Sequence, residues 1–172
     1  LLARAVKKGI FGTKMRSVIA NADKAGIAAV VKQQFEVGRQ ILGHGLIPII
    51  EPEVSIKSPT KQDAEAILRD EITKELDALP SGTKVVLKLT IPTVADFYAP
   101  LIAHKAVARV VALSGGYSRA EACEKLSHNH GMIASFSRAL TEDLRVTMSD
   151  AEFDASLAAT IDQIYAGSVT KV

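Results

Sequence analysis

The feature that most limits what this chain can fold into is a rhythm of short apolar runs and longer helical stretches. Runs rich in Val, Ile, Leu and Thr occupy residues 10–18, 46–53, 85–92, 106–114 and 132–137. They are too short for ordinary helices and carry the residues that strands favour. Helical spacing or helix-start chemistry follows each run. Ile27, Val30, Val31, Val37, Ile41 and Leu42 keep the helical period across 25–42. Thr60 with Asp63 and Thr93 with Asp96 read as caps for helices over 60–79 and 93–104. Ser118 with Glu121 and Ser149 with Glu152 read as capping boxes for helices over 118–128 and 149–165. Residues 1–8 read as the end of a helix stopped by Gly9. Strands linked through helices run parallel, so the pattern dictates βαβ units and an α/β fold.

An open doubly wound sheet and a (β/α)8 TIM barrel both satisfy that pattern. No Gly-x-Gly-x-x-Gly follows a strand, which removes the best support for a dinucleotide-binding sheet. A complete barrel needs about 250 residues. A chain of 172 residues with five units is therefore expected to be an incomplete barrel, with 1–172 the C-terminal portion of a single TIM-barrel domain. The absence of an initiator Met, and a start inside a helix end, lead to the same expectation. Pro48 and Pro52 argue against a central antiparallel strand and are tolerable near the ends of a barrel strand.

Composition narrows function by exclusion. The net charge is +2 without a basic block, and there is no Trp, so neither a nucleic-acid track nor a base-stacking surface is expected. No apolar run approaches the roughly 20 residues of a membrane span, and no signal peptide is recognisable. The single Cys123 rules out an internal disulfide framework and suits a reducing compartment such as the cytoplasm. Oligomeric state is left open.

Chemistry concentrates at the strand ends. Lys88 sits inside Val85-Val-Leu-Lys-Leu-Thr-Ile-Pro92, where period two places it with Val86 and Thr90 and opposite Leu87, Leu89 and Ile91. Apolar surroundings would favour the neutral, nucleophilic amine, the form that makes a Schiff base. Taken alone, Lys88 is more simply a lysine whose stem packs while its head reaches solvent. The neighbouring runs change that balance. Lys14 and Arg16 are two apart on the first run, and Glu51 and Glu53 are two apart on the second. Ser114-Gly115-Gly116 ends the fourth, and Ser135 and Arg138 follow the fifth. In parallel α/β folds these ends line one mouth. Amides of the Gly-Gly turn with Arg138 suit a phosphate. A glutamate can serve as acid and then base while an imine forms on Lys88. Lys14 and Arg16 can hold a second anionic end or keep a carboxylate ionised.

These motifs resemble class I fructose-1,6-bisphosphate aldolases of the short bacterial type. They are Ile10-Phe-Gly-Thr-Lys-Met-Arg16, Pro48-Ile-Ile-Glu-Pro-Glu53, Val86-Leu-Lys-Leu-Thr-Ile-Pro-Thr93, Leu113-Ser-Gly-Gly-Tyr-Ser-Arg119 and Ala134-Ser-Phe-Ser-Arg-Ala-Leu140. The resemblance covers nearly the whole chain in the family's order. It implies barrel strands 4 to 8 and reversible cleavage of fructose 1,6-bisphosphate to dihydroxyacetone phosphate and glyceraldehyde 3-phosphate. The cofactor would be none: the reaction would proceed through a covalent imine on Lys88, without metal. It further implies catalytic roles for Glu51, Glu53 and Lys14. Arg16, Ser114, Gly115, Gly116, Ser135 and Arg138 would bind substrate. The aspartate and second lysine that the family carries on its first strands are absent here, and Ser137 replaces a frequent glycine. Two alternatives stand beside this one: another Schiff-base enzyme such as a transaldolase, and a truncated barrel that binds phosphorylated ligands or partners without turnover. The 172-residue chain by itself is expected to be inactive and prone to associate.

Other residues have simpler readings. His128 and His130 do not share a helix face and form a polar helix end closed by Gly131. Cys123 reads as packed, Gln33 and Gln34 as a helix face, and Tyr165 as part of an exterior helix. Arg119 suits either a phosphate or a solvated first turn.

Overall fold

A computed structural model describes residues 1–172. Its five strands are β1 (Gly12–Ile19), β2 (Ile47–Val54), β3 (Val85–Thr90), β4 (Val107–Leu113) and β5 (Met132–Ala134). All neighbouring pairs are parallel, and their spatial order is β1-β2-β3-β4-β5. A doubly wound sheet reverses its strand order at a switch point. Here the order never reverses, which is how consecutive units of a (β/α)8 barrel are laid down.

Seven helices connect or flank the strands: α1 (Leu2–Lys7), α2 (Lys24–Leu42), α3 (Lys61–Asp77), α4 (Ala99–Ile102), α5 (Arg119–Ser127), α6 (Arg138–Thr141) and α7 (Asp150–Val169). Period two separates the sheet faces. Leu87, Leu89 and Ile91 are completely buried, packed with Ile27, Val31 and Phe35 of α2 and Leu68, Ile72 and Leu76 of α3. Val86, Lys88 and Val111 lie on the opposite face and are only half-buried. The core is thus the helix-covered face, and the polar chemistry belongs to the other.

Several local expectations need correction. The helix foreseen over 93–104 shrinks to α4. Asp96 adopts φ 56, a left-handed conformation that interrupts a helix. Its carboxylate accepts from the His130 N–H at 2.6 Å and contacts His130 Nδ1 at 2.9 Å, which lowers its pKa from the ordinary carboxylate value. Thr60 makes no cap bond, because its hydroxyl accepts from Ala22 N at 2.9 Å. The Ser118 box is half formed: Ser118 Oγ accepts from Glu121 N at 3.3 Å, with no return bond. The Ser149 box is complete.

The prolines meet an internal strand, since β2 lies between β1 and β3. Proline gives no ladder N–H. Pairing with β3 is confined to Ile49 and Ile50, and side chains hold the rest. Gln34 Oε1 accepts from Glu51 N at 2.9 Å, and Thr90 Oγ1 donates to Val54 O at 2.7 Å. Glycine is required at position 12, where an added Cβ would come within 2.2 Å of Ile47 O.

Cys123 packs against Gly167 where α5 meets α7, and burial pushes its thiol up. Arg119 reaches neither solvent nor the strand ends freely: it pairs with Asp143 and donates from Nε to Gln163 at 2.7 Å, tying α5 to the α6–α7 region. No helix is long and apolar enough to cross a membrane.

Leu87 is completely buried in the middle of the core. Leu87→Ala is expected to lower unfolding stability by about 2–5 kcal/mol, measured by urea denaturation. A loss below about 1 kcal/mol would contradict the packing described.

Candidate functional site

The open sheet face bears a cavity of about 380 Å³ touched by Lys14 and Arg16 within β1 and, on the other four strands, by residues of the C-terminal half or just beyond it. Adjacent strands sit about 4.8 Å apart, so a flat sheet would spread its first and fifth strands too far to share one pocket of this size. The sheet is therefore curled, and this face is concave.

Period two supplies the site pair by pair. On β1, Lys14 and Arg16 point into the cavity, and on β2 so do Glu51 and Glu53. The register sets Arg16 opposite Glu51 and Val18 opposite Glu53. Lys14 Nζ lies 2.7 Å from Glu51 Oε2, an ion-pair distance whose approach angle falls outside hydrogen-bond geometry. Arg16 Nε donates to Glu53 Oε2 at 2.7 Å, and this bond raises the guanidinium still further above its ordinary value. Lys88 Nζ stands 3.5 Å from Glu51 Oε1. Glu51 is 3% exposed, so its carboxylate is held between two ammonium groups.

The surroundings of Lys88 differ from the sequence expectation. Its strand neighbours are apolar, but its amine enters a cavity in which Leu113 is the one hydrophobic lining residue. The strand's period hides Leu87 and Leu89 behind the sheet, and what faces the amine is set by β1 and β2.

Opposite the carboxylates, Ser114, Gly115, Ser135, Ser137 and Arg138 complete the wall. Gly115 and Gly116 take φ +63 and +108, left-handed values that glycine tolerates without strain. The turn is closed by the Tyr117 N–H donating to Ser114 O at 2.9 Å. The amides of Gly115 and Gly116 donate to no protein group. Arg138 is exposed, and its guanidinium has no protein partner.

Of the ten residues singled out from sequence, Lys14, Arg16, Glu51, Glu53, Lys88, Ser114, Gly115, Ser135 and Arg138 converge on this cavity, while Gly116 lies just outside its lining. Ser137 lines it as well. His128 and His130 are elsewhere and diverge, His128 to Glu124 at 3.1 Å and His130 to Asp96.

Sequence reasoning missed Gln34. It reads as helix surface, yet it is completely buried, bonding Ser17 Oγ through Nε2 at 3.0 Å and Glu51 N through Oε1. The signal available was an amide in the helical stripe that also holds Ile27 and Val31.

A barrel-type α/β protein with its polar cavity at the strand C-termini is the class this fold and site define. The comparisons sharpen it. No model of a known protein family matches the chain. Over 170 residues it is 57% identical to the class 1 fructose-bisphosphate aldolase of Synechocystis, covering 99% of this chain and 57% of that protein. The class 1 enzymes of Porphyromonas gingivalis and Clostridium acetobutylicum are each 54% identical, over 98% and 99% of this chain and 57% and 58% of theirs. The chain is thus a homologue of the class 1 fructose-bisphosphate aldolases, and it spans little more than half the length of these relatives. In three dimensions it superposes on fructose-bisphosphate aldolase from Plasmodium falciparum, solved with TRAP and a small-molecule inhibitor, with a TM-score of 0.73. That match covers 99% of this chain and 60% of the other at 18% identity, a likeness of fold.

Gln34→Leu leaves the buried Glu51 N–H without an acceptor. The expected loss of unfolding stability is about 1–3 kcal/mol, measured by urea denaturation. An unchanged midpoint would show that Gln34 does not hold β2.

Proposed function

We propose that this chain carries the imine-forming half of a class I fructose-bisphosphate aldolase site, which reversibly cleaves fructose 1,6-bisphosphate to dihydroxyacetone phosphate and glyceraldehyde 3-phosphate. The observation that carries the reading is the Lys88 amine 3.5 Å from the buried Glu51 carboxylate, in a cavity that also offers free amides and an unpaired arginine. Charge agrees with the ligand class. Lys14, Arg16, Lys88 and Arg138 set four cationic side chains against the two carboxylates Glu51 and Glu53, an excess of two that suits a phosphorylated sugar.

In the neutral form, Lys88 Nζ adds to the C2 ketone carbon of the open-chain sugar. Glu51, the carboxylate in reach, takes up the proton that the Lys88 amine gives up and passes it to the departing oxygen, and loss of water leaves the protonated imine. Removal of the C4 hydroxyl proton by a carboxylate breaks the C3–C4 bond. The bonding pair moves into the iminium to form an enamine, and glyceraldehyde 3-phosphate leaves. Protonation at C3 and hydrolysis then return dihydroxyacetone phosphate and the free amine. The iminium nitrogen is the electron sink, so this route asks for no metal.

The remaining groups divide the binding work. Glu53 and Arg16 brace each other beside the reacting carbons. Lys14 offsets the Glu51 charge and reaches toward the second anionic end. The amides of Gly115 and Gly116, the hydroxyls of Ser114 and Ser135, and Arg138 suit the phosphate of dihydroxyacetone phosphate. The setting that fits such a reaction is sugar-phosphate metabolism in the cytoplasm.

The groups assigned to imine formation with dihydroxyacetone phosphate, Lys88, Glu51 and the Ser114–Gly116 turn, all lie in this chain. Borohydride added with that ketone should reduce the adduct and add its mass to the Lys88 peptide, and Lys88→Ala should abolish the label. Labelling that survives this substitution, or label on another lysine, would refute the assignment. Labelling with dihydroxyacetone phosphate but not with fructose 6-phosphate separates an aldolase from a transaldolase.

A further inference from the structure

A buried ion pair outside the cavity grips the strand that carries Lys88. Glu65 on α3 is 1% exposed at its side chain, and Lys61, one turn earlier, is 10% exposed; the two form a salt bridge. Both hold the chain as it leaves β3. Lys61 Nζ donates to Ile91 O at 2.9 Å and to Thr93 Oγ1 at 3.2 Å. Glu65 Oε2 accepts from Thr93 N at 3.0 Å. Pro92, between them, has no N–H to offer. Two turns along from Lys61 on the same helix, Arg69 lies over the Phe97 ring at 4.5 Å, so one face of α3 secures the whole exit segment.

The strand needs that support on its β2 side. Past Ile50 the β2–β3 ladder stops, and Lys88 falls in the stretch beyond Leu87 that the ladder does not cover. The ladder to β4 continues on the other side as far as Thr90, while the Thr90 hydroxyl ties β3 to β2 and this ion pair fixes the exit beyond it. An ion pair is a poor device for stability alone, since well-packed apolar replacements of a buried pair are often neutral or stabilising. Its bonds to Ile91 and Thr93 are directional, and Ile91 is three residues from the amine.

We propose that Lys61 and Glu65 are positioning residues, fixing the exit of β3 so that the Lys88 amine stays beside Glu51. The proposal rests on Lys88 being the imine-forming amine, and its test separates the two ideas. The double substitution Lys61→Met with Glu65→Met removes both charges and keeps apolar bulk. Thr93→Val is the milder variant, removing one Lys61 contact. Three readouts are taken on each folded protein: the thermal midpoint, the rate of borohydride trapping with dihydroxyacetone phosphate, and the rate at which Lys88 is acetylated by limiting acetic anhydride. The last needs no sugar and no aldolase chemistry.

The double variant should keep its thermal midpoint, exchange the Thr93 amide faster, and trap the imine about tenfold or more slowly, as small misplacements of reacting groups do. Its Lys88 acetylation rate should also change, and Thr93→Val should move the same way by a smaller factor. Wild-type trapping and acetylation rates in every folded variant would overturn the proposal. If the wild-type chain takes no sugar label while Lys88 acetylation still responds to the substitutions, the aldolase reading fails and the positioning role stands.

Discussion

The structure of the site depends on the Glu51 carboxylate, an anion buried within the internal strand β2. A carboxylate taken out of water is tolerable only with compensating charge or hydrogen bonds. Here the charge comes from Lys14 on one side and Lys88 on the other, 2.7 and 3.5 Å away. The backbone at the same residue is fixed from behind by Gln34. This one group therefore joins β1, β2 and β3 on the concave face and ties β2 to α2 on the convex face. It also puts a proton donor and acceptor beside the amine, so the same contact that satisfies a buried charge prepares a site for imine chemistry.

Parallel strand order gives that contact its setting. Because the five strands follow one another without a reversal, all their C-terminal ends open on one side, and the curl of the sheet brings β1 and β5 to a common cavity. Polar residues far apart in the chain, from Lys14 to Arg138, thereby share a pocket of about 380 Å³. The apolar face packs on helices and can be aliphatic throughout. Function and core are separated by the alternation of side chains along each strand.

Much of this was legible in the sequence because period two is a strict rule. It paired Lys14 with Arg16 and Glu51 with Glu53, and it set Lys88 on the face opposite Leu87 and Leu89. What escaped depends on contacts between elements. Gln34 looks like helix surface until its amide is seen bonding the Glu51 backbone. Lys61 and Glu65 look like an ordinary i,i+4 surface pair until they are found buried against the β3 exit. Thr93 and Asp96 carry cap-like residue types, yet one accepts from Lys61 and the other turns toward His130, so the expected helix over 93–104 starts only at Ala99. The apolar slot expected around the Lys88 amine was wrong for a related reason: neighbours in the strand do not reveal what the adjacent strands present to it.

The role of Lys88 beside Glu51 is open to direct view in a crystal structure of the chain after borohydride trapping with dihydroxyacetone phosphate. The expected result is electron density continuous with Lys88 Nζ, a Glu51 oxygen within hydrogen-bond reach of the reduced adduct, and the phosphate seated on the Gly115 and Gly116 amides with Arg138. Density joined to another lysine, or a Lys88 adduct whose phosphate lies away from the Ser114–Gly116 turn, would contradict it.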